Sequence, residues 1–113
     1  MFSSTSYAGW TKVNSSIRGN TYYVDFERIR KVDGFVYYWM LTDYLKPDHG
    51  YLSIKSYQQG DCKLFRFKVL SVSFHKEPMG GGTGEIVNTK NPEWDYPTPN
   101  SSVERILKSV CSR

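Results

Sequence analysis

The sequence predicts an α+β domain: an antiparallel sheet of about six strands, with one C-terminal helix packed on one face and tied to the sheet by a disulfide between Cys62 and Cys111. Three observations predict this fold class. Aromatic residues make up 16% of the 113 residues, and flat rings suit the pleated, half-buried surface of a sheet. Alanine occurs once, whereas helical bundles use it often. The one clear helical pattern lies at the end of the chain and contains the second of two cysteines.

The length and the N-terminal residues define the expected domain organisation. A chain of 113 residues corresponds to one domain, which we place at residues 9–113. Residues 1–8 are polar and rich in serine and threonine, so we expect a disordered leader. Ser6-Tyr7-Ala8 also fits the small-x-small rule of a signal-peptidase site, which makes the leader a candidate remnant of a signal peptide. The alternative is a plain polar leader.

The first half of the domain alternates strand-like segments with turn residues. Residues 10–14 and 21–26 read as a hairpin around Arg18-Gly19-Asn20, because glycine and asparagine tolerate positive φ. Asp25 is expected to cap a single helical turn that ends before the Asp33-Gly34 turn. Residues 35–44 then form the richest strand candidate, apolar on both faces, and we place it at the centre of the sheet.

The second half continues the sheet. The pattern predicts a loop at residues 46–50, a strand at 51–58 and a long strand at 62–74, whose core face carries Phe65, Phe67, Val69 and Ser71. A glycine-rich loop covers residues 78–84, and a short sixth strand follows at residues 85–88.

The C-terminal segment carries a helix signature. Ser101 and Glu104 have the spacing of a capping box. An apolar stripe at helical spacing follows them: Val103, Ile106, Leu107, Val110 and Cys111. Two free buried thiols are one interpretation of the cysteine pair. The position of Cys111 on the buried stripe favours the other, a disulfide to Cys62 in an oxidising compartment.

The sequence offers no pattern for catalysis, for a metal or for a cofactor. His49 and His75 are the only histidines, and we expect both to be exposed or at a strand edge. The carboxylates are scattered, and a disulfide would remove the only candidate thiol nucleophile. Residues 80–84 lack the Lys-Ser/Thr and the helix that complete a phosphate-binding loop. We therefore expect a protein that is not an enzyme and uses no cofactor.

Two groups of basic residues form a candidate binding patch, which the chain contributes from two separate segments: Arg28, Arg30, Lys31, Lys63, Arg66 and Lys68. Interleaved aromatic residues and a net charge of +4 suit an acidic glycan, an acidic protein segment or single-stranded nucleic acid. The alternative is a solvated face without a ligand. The charge excess is too small to predict nucleic-acid binding, and no apolar run approaches the roughly 18 residues of a transmembrane span.

Several segments, in this order, resemble the surface-adhesin protein E family of bacteria. They are Thr21-Tyr22-Tyr23-Val24-Asp25, Ile29-Arg30-Lys31, Val36-Tyr37-Tyr38-Trp39 with Leu41-Thr42-Asp43-Tyr44, Ser53-x-Lys55-Ser56, Asp61-Cys62 leading to Arg66, Pro78-Met79-Gly80, Trp94 before Tyr96-Pro97, and Val110-Cys111. The resemblance runs from about Trp10 to Cys111. It implies an antiparallel sheet with the helix held on its concave face by a disulfide, and it implies export. It carries over no binding residue.

Two functions follow from these features as expectations. The first is an exported binding module, located in the periplasm, on the outer-membrane surface or outside the cell, that attaches to a host extracellular-matrix protein or an acidic glycan. The second is a structural or assembly protein of the cell envelope that acts by self-association, for instance as a homodimer through an exposed edge strand.

Overall fold

A computed structural model describes residues 6–7 and 9–113, which form one antiparallel sheet and one α-helix. The strands are β1 (Ser6–Tyr7), β2 (Trp10–Ser15), β3 (Thr21–Val24), β4 (Arg30–Val32), β5 (Phe35–Asp48), β6 (Tyr51–Asp61), β7 (Arg66–His75) and β8 (Glu85–Asn88), and the helix is α1 (Ser102–Cys111). The strand order is β1-β2-β3-β5-β6-β7-β8, and β4 pairs with one end of β5. Short 3₁₀ turns lie at Phe26–Arg28 and Pro78–Gly80.

The predicted fold class is confirmed, and the sheet gains two short strands. All six predicted strands are present. β4 was not predicted, because three exposed residues give no apolar alternation. β1 pairs with β2 through Ser6↔Thr11 and Tyr7↔Trp10 and lies within the segment expected to be a leader. The remaining leader residues lie outside the described part of the chain.

The connection between β5 and β6 differs from the predicted loop at residues 46–50. β5 continues to Asp48 and β6 begins at Tyr51, so His49 and Gly50 alone make the turn. Both residues have positive φ, 51° and 85°, as the tight turns of two-residue hairpins require. Pro47 is accommodated because it lies in the exposed end of the strand.

The segment around Cys62 also differs from its prediction. β7 begins at Arg66, so Cys62 lies in the turn between β6 and β7 and does not open a strand. A register shift at Tyr57/Gln58 then interrupts the pairing of β6 with β7. Such a bulge changes which residues face the core. Ser71, predicted on the core face, therefore pairs with Tyr57 on the opposite face.

The helix covers one face of the sheet and completes the core. Its apolar stripe places Ile106, Leu107 and Val110 in full burial against strand residues that include Val24, Val36, Tyr38 and Met40. The predicted helix start is confirmed, because the Ser101 hydroxyl accepts a hydrogen bond from the Glu104 N–H at 3.2 Å. Asp25 likewise caps the predicted helical turn by accepting from the Glu27 N–H.

A small network of buried polar side chains lies in this core. The Tyr38 hydroxyl donates to the Gln58 side-chain oxygen at 3.0 Å, and the Gln58 amide donates to the Met40 sulfur and to Ser56. Burial raises the pKa of Tyr38, so the hydroxyl stays protonated and keeps its donor role.

The predicted disulfide between Cys62 and Cys111 is present, with Cα atoms 5.6 Å apart. It joins the last residue of α1 to the turn that follows β6. The helix is thereby fixed at its C-terminal end, while its N-terminal end is held by a hydrogen bond from the Asn14 side chain to the Ser102 hydroxyl at 2.8 Å.

Candidate functional site

The sheet face opposite the helix carries a row of half-buried rings, which we call the aromatic face: Phe35, Tyr37, Trp39, Tyr57 and Trp94. Tyr37 and Trp39 alternate with the core residues of β5, so they project away from α1. Trp39 lies opposite Tyr57 on β6. The ring centroids of Trp39 and Tyr57 are 4.8 Å apart, and those of Tyr37 and Tyr57 are 6.3 Å apart. Tyr57 therefore joins the other two rings into a continuous row.

Trp94 extends this row from outside the strands. Its neighbour Asp95 forms an isolated bridge with Phe67 on β7, with hydrogen bonds of 2.8 and 2.9 Å in both directions. The indole lies 5.6 Å from the ring of Phe35. Arg66 and Lys68 approach its face at 4.3 and 4.5 Å from the centroid, a favourable cation–π geometry. The otherwise irregular segment before the helix is thus anchored by one ring.

The structure divides the six predicted patch residues between different environments. Arg28 is exposed and pairs with Asp25 at 3.4 Å. Lys31 pairs with Val36 on the helix side of the sheet, where its ammonium group donates to the Arg113 carbonyl oxygen. Lys63 is exposed in the turn after β6. Of these three, Lys31 lies on the face opposite the rings.

The other three predicted residues belong to the aromatic face by register. Arg30 lies opposite Tyr37, Tyr37 opposite Gln59, and Gln59 opposite Lys68. Arg66 lies on the same side of β7, two residues before Lys68. Arg30, Val32, Tyr37 and Tyr57 line an open cleft of about 210 Å³. The strand ladder therefore brings together cations from both predicted groups.

Asp61 neutralises one of these cations. Its carboxylate accepts hydrogen bonds from the N–H groups of Leu64 and Lys63, both at 3.1 Å, and from the Arg66 side chain at 2.9 Å. The backbone donor of Leu64 and the guanidinium of Arg66 hold the pKa of Asp61 below its ordinary value. Arg66 is thus a structural cation, whereas Arg30 and Lys68 appear in no ion pair of the described residues.

The glycine-rich loop covers the other end of the same face. Asp43 accepts a hydrogen bond from the Met79 N–H at 2.8 Å, and Ser53 donates to the Glu77 carbonyl oxygen and accepts from the Gly80 N–H. His75 bonds to the Ser73 hydroxyl at 2.7 Å and to the Gly81 carbonyl oxygen at 3.1 Å. These bonds fix the loop on the sheet.

His75 lies at the end of β7, as predicted, but it is buried and not exposed. Only 3% of its surface is exposed, and the loop lies over it, so its bond to Ser73 supports the loop and does not form an open nucleophile–base pair. His49 is exposed beside Asp48, as expected. Within the described residues, no group of His, Cys, Asp and Glu could hold a metal ion, and no helix has the length and apolar character to cross a membrane.

The sequence patterns do not identify these rings as site residues. Tyr37 and Trp39 lie in residues 35–44, which the pattern predicts as a central strand, and Tyr57 lies in the predicted strand at residues 51–58. The available signal was the aromatic content of one face of residues 35–39 beside a tyrosine in the next strand. Only the β5–β6 register, with Trp39 opposite Tyr57, shows that these rings meet.

The domain is similar to proteins of one known family. The sequence profile of the family described as surface-adhesin protein E matches residues 10–112. Among curated protein sequences, none matches this chain at a significant level.

Solved structures of Haemophilus influenzae protein E share the fold. Crystal form II superposes with a TM-score of 0.73 at 16% identity, covering 95% of this chain and 90% of that one. A second structure of the protein has a TM-score of 0.70 at 16% identity, covering 99% and 91%. Protein E from a non-typeable strain has a TM-score of 0.67 at 16% identity, covering 97% and 80%. At this identity the likeness is one of fold.

Proposed function

We propose that this chain, which belongs to the surface-adhesin protein E family, is an exported, non-catalytic module that attaches the bacterial surface to a host extracellular-matrix component through its aromatic face. Family membership supports an adhesin-like surface protein. The aromatic face supplies the contact surface.

The observation that carries this proposal is the row of half-buried rings on the face opposite α1, beside two cations that form no ion pair among the described residues. Tyr and Trp are enriched at binding surfaces because they offer large, rigid contact areas with a polar atom at the rim. Here the rings of Tyr37, Trp39 and Tyr57 are half-buried, so packing holds them in place before any ligand arrives. Such preorganisation lowers the entropy lost on binding.

A binding assay with single variants tests the proposal. Purified extracellular-matrix proteins and heparin are immobilised, and the oxidised protein is applied at physiological salt. We expect at least one of them to bind more tightly than it binds a charge-matched control protein, and Tyr57→Ala to weaken that binding about tenfold or more, as truncation of a central aromatic anchor does.

The matched control is Leu45→Ala, which removes an exposed apolar side chain from β5 at its other end, beyond the aromatic face. This variant should bind like the unchanged protein. Equal losses in the two variants, or no binding to any surface, would count against the aromatic face as the site of attachment.

Self-association is the second candidate function, and strand β8 favours it. β8 is an edge strand of the sheet, and all four of its residues are exposed, with Ile86 at 70% and Val87 at 56%. An exposed apolar edge offers unpaired backbone groups to a second strand.

Sedimentation over a range of protein concentrations tests this candidate. Self-association through β8 predicts a dimer that dissociates on dilution and that Val87→Lys abolishes, because a lysine on an edge strand opposes pairing. A strict monomer at the highest concentration would contradict it.

A further inference from the structure

We infer that the ligand of the aromatic face is an anionic polysaccharide, whose sugar rings stack on Tyr37, Tyr57 and Trp39 and whose acidic groups pair with Arg30 and Lys68. This inference rests on the proposed attachment function and names the chemistry of its ligand.

The shape of the surface suits a chain of sugar rings. The centroid of the Tyr57 ring lies 4.8 Å from that of Trp39 and 6.3 Å from that of Tyr37, with interplanar angles of 36° and 28°. The three rings are therefore in contact, each tilted against its neighbour, and they form one continuous aromatic surface. A pyranose ring carries C–H groups on one face, and the electron-rich face of an aromatic ring attracts them. A row of rings can support successive sugar units.

The register places one cation at each end of a row that crosses this aromatic surface. Arg30, Tyr37, Gln59 and Lys68 form the row across four strands, which spans about 14 Å at the usual strand spacing. A polymer lying along the row therefore meets positive charge at both ends, with Tyr37 between them.

The acidic groups of this face are already occupied. Over the regularly paired strands, the register gives the face two carboxylates, Asp43 and Asp61. Asp43 accepts from the Met79 N–H, and Asp61 is held by Arg66 and two backbone donors. Arg30 and Lys68 thus form no ion pair among the described residues, and each can pair with an external anion, Lys68 from its position over the Trp94 ring. The planar guanidinium of Arg30 matches a sulfate or a carboxylate in two-point geometry.

The cleft beside Tyr57 shows where one such group would lie. Arg30, Val32, Tyr37 and Tyr57 line it, and its volume is about 210 Å³. Arg30 provides the charge, while the two tyrosines and Val32, which is 39% exposed, provide apolar walls. This combination favours a ligand that is charged at its rim and apolar on its ring face, as a uronic acid or a sulfated sugar is.

The experiment measures binding of a size-defined heparin oligosaccharide by calorimetry, with the oxidised full chain. Tyr57→Ala should weaken binding at least tenfold, whereas Tyr57→Phe, which keeps the ring, should bind like the unchanged protein. Arg30→Gln should weaken binding by about tenfold, as the loss of one charge-assisted hydrogen bond does. Lys46→Gln removes the same charge from the exposed end of β5 and should have no effect.

Two further probes separate stacking from general attraction between charges. Dextran, a neutral polysaccharide, should bind at least tenfold more weakly than heparin. An oligothymidylate of equal charge should also bind at least tenfold more weakly, although aromatic and cationic surfaces can also bind single-stranded nucleic acid. Equal affinity for heparin and the oligothymidylate, or heparin binding that Tyr57→Ala leaves unchanged, would overturn the inference.

Failure of this inference can be distinguished from failure of the proposed function. If a matrix protein binds in a Tyr57-dependent way and the heparin oligosaccharide does not bind, the ligand is protein and only the inference falls. If neither binds, both fall.

Discussion

Asp61 organises the turn between β6 and β7 with a single carboxylate. It accepts hydrogen bonds from the N–H groups of Lys63 and Leu64 and from the Arg66 side chain. The Arg66 side chain in turn lies against Trp94. One buried acidic residue therefore links the turn that holds the disulfide to the outermost ring of the aromatic face.

Replacing Asp61 should reveal a pH-dependent contribution to stability. Its pKa is lowered in the folded state, so its contribution is complete above the ordinary pKa of an aspartate and is lost as the pH falls through the lowered value. We expect Asp61→Asn to lower the urea midpoint at pH 7, and the difference from the unchanged protein to shrink in acid. Asp33→Asn, at an exposed turn position with φ of 51° that asparagine tolerates, serves as the control. A difference independent of pH would contradict this assignment.

Gly60 is required for the packing of the helix on the sheet. Its backbone is not in the left-handed region, but an added Cβ would lie 2.9 Å from Val36 Cγ1, 3.0 Å from Leu107 Cδ1 and 3.2 Å from Tyr38 Cε1. The missing side chain is what lets α1 approach β6.

Gly60→Ala should therefore destabilise the fold by about 1–3 kcal/mol, the usual effect of overpacking. Chemical denaturation measures this change. In a Val36→Ala background the penalty should fall, because the nearest clashing methyl is gone and neighbouring substitutions couple. Equal penalties in the two backgrounds would show that the effect is not steric.

The stability of α1 depends on its packing against the sheet and on the hydrogen bonds at its N-terminal end. A helix of ten residues is marginal in isolation, and its apolar stripe supplies most of its stability through burial. The Ser101 cap satisfies the N–H group of Glu104, and the Glu104 carboxylate accepts from the Asn100 N–H at 3.0 Å. The start of the helix is thus fixed by local sequence.

Ser101→Ala should destabilise the protein by about 1 kcal/mol through loss of the N-cap. Ser109→Ala is the matched control. The Ser109 hydroxyl only bonds back to the Arg105 carbonyl oxygen within the helix, and alanine has the higher helix propensity, so this variant should be neutral or slightly stabilised. Thermal unfolding of both variants checks the prediction, and equal shifts would contradict a capping role.

For the whole molecule, the disulfide joins residues 49 positions apart. Closing a loop of this length stabilises a protein by about 4 kcal/mol in the chain-entropy model. The joined parts are the end of α1 and the turn next to Asp61, so the crosslink restrains both the helix and the aromatic face.

The double variant Cys62→Ser/Cys111→Ser should lose about 4 kcal/mol of unfolding free energy, measured by urea titration against the oxidised protein. Reducing the unchanged protein should give the same loss. Alkylation followed by mass determination checks the oxidised starting material. Two alkylated cysteines in that material would contradict the Cys62–Cys111 disulfide.

Most of the architecture can be predicted from the sequence alone, because it follows from interactions between residues close together in the chain. The capping box at Ser101, the apolar stripe ending at Cys111 and the alternation of residues 35–44 are set by neighbours a few positions apart, so they can be read without a structure. The disulfide pairing followed from these signals because the chain has only two cysteines.

Tertiary structure decided which of these residues share a surface. The turn at His49 and Gly50 and the bulge at Leu70 of β7 set the register, and register depends on backbone pairing between distant segments. The same pairing placed Arg30, Arg66 and Lys68 on the face of the rings and Lys31 on the helix side. The row of Tyr37, Tyr57 and Trp39 exists only through that pairing, because residues on different strands meet by register and not by their spacing in the chain.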